Sequence, residues 1–97
     1  MRIVTRDQFL ELPAGTIYSV CDAVAFDGLF RKEQSIRDTV DGRPFEFMYR
    51  DLTPSCRALS ERPRFNAEIL RNGEFGEFRR NFAIWEPEDI EQLKKLL

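Results

Sequence analysis

Between residues 45 and 50 every second side chain is aromatic: Phe45, Phe47 and Tyr49 fall on one side, Glu46, Met48 and Arg50 on the other. Side chains along a strand point to opposite faces in turn, so this stretch predicts a strand with one face in a core and one toward water. Upstream, Thr16 to Cys21 is rich in β-branched and aromatic residues and predicts a further strand. Ala23 to Phe26 and Leu29 to Arg31 read as an extended stretch bent or turned at Asp27-Gly28. Ile36 to Val40 and Phe45 to Asp51 flank a second Asp-Gly at residues 41 and 42. Ala67 to Arg71 and Glu74 to Phe78 flank Asn72-Gly73, a strong two-residue hairpin signal, and Asn81 to Trp85 is a last extended run.

Two segments carry the helical period instead. Thr5 as N-cap and Gln8 three residues later form a capping box, and Val4 before the cap can staple onto Phe9. Pro13 disfavours helical geometry at Leu12, so this helix ends near Glu11 or Leu12. At the other end, Pro87 occupies the first helical position, Glu88 and Asp89 sit where the macrodipole favours acids, and Lys94 and Lys95 lie near the C-terminus. Ile90, Leu93 and Leu97 make one apolar stripe with Leu96 beside it. Residues 52–66 are the least patterned; Thr53-Pro54 could open a short helix through Leu59, which Pro63 would end.

The expected fold is therefore α+β: one domain over 1–97, with a small bent antiparallel sheet of about four to six strands. The capped N-terminal helix and the C-terminal helix are both expected to pack on that sheet, burying Leu93 and Leu97 with Phe45, Phe47 or Trp85. Nine phenylalanines, two tyrosines and one tryptophan supply the bulk such a core needs.

Arg6, Asp7 and Glu11 stand where an export signal would need an apolar run, and no stretch approaches the ~20 apolar residues of a spanning helix. Cys21 and Cys56 are isolated from one another, so reduced thiols and a cytoplasmic location are expected.

Candidate chemistry is sparse. The chain has no histidine, which deprives a serine or cysteine nucleophile of its usual base. There is no phosphate-binding glycine loop of either common spacing. Gly73-Glu74-Phe75-Gly76 has the outline of an RNA-clamping loop, but Glu74 and Glu77 would repel phosphate. Glu86, Glu88, Asp89 and Glu91 open a helix and lack the interleaved loop residues of a calcium site. Two carboxylates acting as acid and base stay open as a mechanism, in a chain short for a deep cleft. The expectation is a non-enzyme with no metal and no cofactor.

The charges offer more. Net charge is −2, but residues 57–80 hold six arginines (Arg57, Arg62, Arg64, Arg71, Arg79, Arg80) against four glutamates. Arginine outnumbers lysine twelve to three, and the guanidinium fork suits carboxylate and phosphate. Arg79 and Arg80 lie between Phe78 and Phe82, a mixture common at protein interfaces and base-stacking sites. Arg71, Arg79 and Arg80 are the candidate contacts, with Tyr49 as an aromatic neighbour. An Asn72-Gly73 hairpin would bring the three arginines onto one exposed face.

The opening TRDQFLELPAGTIYS and the closing FAIWEPEDIEQL resemble the ends of short proteins encoded by bacteriophages and prophages. The resemblance implies a small accessory protein working inside a bacterium, where proteins of this size mask a surface of the host, including its defence systems, or sequester a signalling nucleotide. The expected function is thus a binding protein that occupies a host macromolecule, most simply a host protein. The alternatives are an oligomeric protein that sequesters a small nucleotide, and a structural or assembly subunit. Stable double-stranded DNA binding is not expected of an acidic domain, nor is membrane binding.

Overall fold

In the computed structural model, which describes residues 1–21, 25–54, 62, 64–65, 68–72 and 81–97, the chain begins with a three-residue strand, β1 (Arg2–Val4), and the helix α1 (Arg6–Leu10). Strands β2 (Ile17–Cys21), β3 (Phe26–Arg37), β4 (Pro44–Asp51), β5 (Leu70–Asn72) and β6 (Asn81–Trp85) follow, and helix α2 (Pro87–Leu96) closes the described chain. The strands form one sheet in the order β1-β6-β2-β3-β4-β5, every neighbouring pair antiparallel. The architecture is the expected α+β fold.

The capping box forms as the sequence predicts. Gln8 N–H donates to Thr5 Oγ1 at 3.3 Å and Thr5 N–H to Gln8 Oε1 at 3.0 Å, which ties down two of the helix's otherwise unpaired donors. This fixes α1 across one face of the sheet with Phe9 pointing inward. Phe9 is wholly buried: it stacks on Phe82 at 4.1 Å between centroids and meets Tyr18 and Phe47 edge-on at 4.6 and 4.9 Å. Val4, Leu10 and Ile84 complete the buried cluster. Burying one such phenylalanine is worth about 3–5 kcal/mol by the cost of truncation.

Strand β3 is twelve residues long because two bulges let it bend with the sheet. The first lies at Gly28-Leu29, where two residues stand opposite Ser19. Gly28 has φ +72°, and a Cβ there would sit 2.4 Å from the Phe30 ring, so glycine is required. The expected bend is thus a bulge within one strand. The second, at Glu33-Gln34, leaves Lys32 opposite Tyr49 on the core face. Lys32 is 1% exposed, and its ammonium donates to Glu33 O (3.0 Å) and Ser35 Oγ (2.8 Å) while lying 5.9 Å from the Phe9 centroid. The β3–β4 turn uses Gly42 at φ +74°; β3 ends at Arg37, and Val40 is fully in solvent.

One expectation changes. Leu93 and Leu97 are not buried in the core: α2 has no buried residue, and Leu97 is 95% exposed. The reason is that α1 already covers the apolar face with Phe9, so α2 meets the sheet only through its first turn. That turn is held at the edge by Arg2 Nε to Glu86 Oε1 and by the N-terminal ammonium to Asp89 Oδ2, each 2.8 Å. Strand β5 pairs with β4 at one edge while β6 lies between β1 and β2. Asn72, the first turn residue of the expected Asn72-Gly73 hairpin, is the last residue of β5. The proposed partner strand of that hairpin (74–78) and the helix through Leu59 lie outside the described residues.

Candidate functional site

Because α1 occupies one face, the other face of the sheet displays every second residue of the central strands. Cross-strand pairing decides which. Trp85 stands opposite Ile17, Ile17 opposite Arg31, and Arg31 opposite Arg50, making one row across β6, β2, β3 and β4. Two residues along β4, Met48 stands opposite Arg71 on β5. Cys21 and Phe26 form a further pair on this face, with Phe26 half exposed.

Two guanidiniums directly opposite one another repel. Here Glu33 lies beside both: Arg31 Nη1 donates to Glu33 Oε1 at 2.6 Å, and Arg50 Nε is 3.3 Å from the same oxygen. Arg50 Nε is buried and makes no hydrogen bond, so the carboxylate neutralises Arg50 by proximity more than by a directed bond. Glu33 is 11% exposed in its side chain, whereas Arg31 and Arg50 keep 42% and 37% open to solvent. Arg71 Nε bonds to Glu46 Oε2 in the same manner, the arginine outward and the acid sheltered. The acids thus lie below and the guanidiniums above, so a partner approaching this face meets positive charge first.

The aromatic end of the row is fixed as well. Trp85 Nε1–H donates to Ser19 Oγ at 2.9 Å, which pins the indole over β2 and satisfies its one polar atom. The lysines are elsewhere: Lys32 in the core, Lys94 and Lys95 on α2.

Of the four residues singled out in the sequence, Arg71 belongs to this face and Tyr49 does not. Tyr49 faces the core side, edge-on to Phe30 at 5.7 Å and close to Phe47, because one step along a strand reverses the face. Arg79 and Arg80 lie outside the described residues, as does Arg57. The residues missed by the sequence reading are Arg31 and Arg50. Arg50 was placed on the right side of β4 by the alternation; that Arg31 faces it follows only from the register beyond the Gly28 bulge.

Among the described residues no three histidines, cysteines or acids cluster as metal ligands, and no helix is long and apolar enough to cross a membrane. Compared with family models, with curated proteins and with solved structures, the chain matches none.

Proposed function

We propose that this is a non-catalytic binding protein that occupies the surface of a host protein, through the sheet face carrying Arg31, Arg50, Arg71, Met48 and Trp85. The observation that carries the reading is the make-up of that face. Arginine, methionine and tryptophan are enriched at protein interfaces and lysine is depleted there; this face carries Arg31, Arg50, Arg71, Met48 and Trp85 and none of the three lysines. Rigid strands hold these groups in place before contact, so little side-chain ordering is left for the moment of binding. The partner is an acidic surface, because the arginines stand outside their acids. The resemblance of both chain ends to phage-encoded proteins supports a partner in the bacterial cytoplasm, a component of host defence being one candidate.

The test is retention of bacterial proteins on the immobilised chain. Wild type is expected to retain a partner that Arg31→Glu/Arg50→Glu loses, with Arg43→Gln in the exposed turn retaining it. Equal retention by wild type and the charge-reversed variant, with the variant's fold intact, would refute the reading. Titration calorimetry with cyclic and linear nucleotides separates it from nucleotide sequestration: heat at micromolar ligand would favour the latter.

A further inference from the structure

Beside the first turn of α2 lies a groove of about 430 Å³, walled by Leu12, Pro13, Ile17, Trp85, Pro87 and Ile90 together with the ion-paired Arg2 and Glu86. Ile90 is the first member of the apolar stripe on α2. Leu93 and Leu97 follow it on the same side of the helix by the 3.6-residue period, and neither is buried. The described chain thus offers a mostly apolar hollow and, directly beside it, an apolar ridge. Within one copy neither Leu93 nor Leu97 lines the hollow.

We infer that α2 and this groove form the self-pairing surface of a symmetric dimer, each copy laying Leu93 and Leu97 into the groove of the other. A two-fold interface brings the same patch of both copies together, so a ridge and hollow side by side on one surface complement themselves. The charges on α2 select the antiparallel direction. Its first half carries Glu88, Asp89 and Glu91 and its last turn Lys94 and Lys95, so antiparallel helices set the basic end of each against the acidic end of the other, while parallel helices would align like charges. Helix dipoles favour the same direction. Among the described residues Lys94 pairs with Glu91 of its own helix, at 3.3 Å in an exposed pair that can exchange partners at little cost. The groove shares Ile17 and Trp85 with the outer row, whereas Arg31, Arg50, Met48 and Arg71 do not line it and stay open on each copy.

Analytical ultracentrifugation of the full chain tests this. Wild type is expected to sediment as a monomer–dimer equilibrium. Leu93→Glu/Leu97→Glu is expected to weaken self-association by at least ~100-fold, since four leucines per dimer lose burial, while its far-ultraviolet dichroism and melting temperature stay close to wild type. Glu88→Lys/Glu91→Lys and Lys94→Glu/Lys95→Glu are each expected to be monomeric alone and to dimerise with one another on mixing, because the charges are then complementary at both ends. A wild type that stays monomeric at submillimolar concentration overturns the proposal and leaves the groove to a different molecule. A dimer that survives the leucine changes places the interface elsewhere and also overturns it. Charge variants that disperse but fail to recover on mixing refute the charge pairing along α2 and overturn the proposal.

Discussion

Replacing Glu33 by glutamine tests whether one sheltered carboxylate holds two opposed guanidiniums on the outer face. The change keeps the volume and removes the charge. Arg31 loses its 2.6 Å charged hydrogen bond, Arg50 its nearest counter-charge, and the two then face each other across adjacent strands. A charged group deprived of its partner costs about 1–3 kcal/mol, and cross-strand like charges add to that up to about 1 kcal/mol. Partial solvent exposure of both arginines keeps the expected loss in the lower part of that span, about 1–2 kcal/mol. For a domain of this size that is a fall in melting temperature of at least ~4 °C. Urea unfolding followed by tryptophan fluorescence measures it, with the slope expected to be unchanged. Adding Arg50→Met should recover at least half of the loss, because the repulsion then has only one member. If Glu33→Gln melted within a degree of wild type, or if Arg50→Met brought no recovery, the shared-carboxylate account would be wrong.

Other outcomes follow from the core. Burial holds the Lys32 ammonium below the ordinary lysine pKa of 10.5, helped by Arg37 and opposed by Glu11 and Glu33. The native state therefore releases this proton before the unfolded chain does, and the cost of the buried charge diminishes as pH climbs toward 10.5. Lys32→Met, which keeps the stem, should accordingly melt higher than wild type near neutrality by a margin that narrows as pH rises toward 10.5; a constant margin would contradict the assignment. Gly28→Ala forces a Cβ into the Phe30 ring at positive φ and should cost about 1–3 kcal/mol in urea unfolding, against roughly 1 for Gly42→Ala, whose Cβ would meet open space. Thr5→Ala should cost about 0.5–2 kcal/mol and Phe9→Ala about 3–5, so the cap is expected to matter less than the ring it positions.

These expectations mark where the sequence was readable. The Thr5–Gln8 box, the Pro87 start of α2 and the alternation in β4 act within a few residues, and all three stand in the structure as read. Strand β3 resisted reading because its two bulges shift the period-2 pattern twice, which hides a lysine in the core and sends Glu33 to the outer face with Arg31. The stripe on α2 was recognised, but an apolar stripe does not say what covers it, and Phe9 had already filled the space expected for Leu93 and Leu97. The arginine-rich segment drew attention to Arg71, yet the residues beside it in space, Met48 and Arg50, come from another strand. Register, set by bulges and by which strands become neighbours, is a long-range property that a count of charges does not carry.

If the face of Arg31, Arg50 and Met48 meets a host protein, site-specific photo-crosslinking in bacterial cells will capture the contact. A photoreactive side chain at Met48, in the middle of that face, should give one dominant adduct with a host protein, and Arg31→Glu/Arg50→Glu should abolish it. The same group at Val40, exposed in the distant β3–β4 turn, should give none. An adduct from Val40 but not Met48, or one at Met48 indifferent to the arginines, would contradict the account.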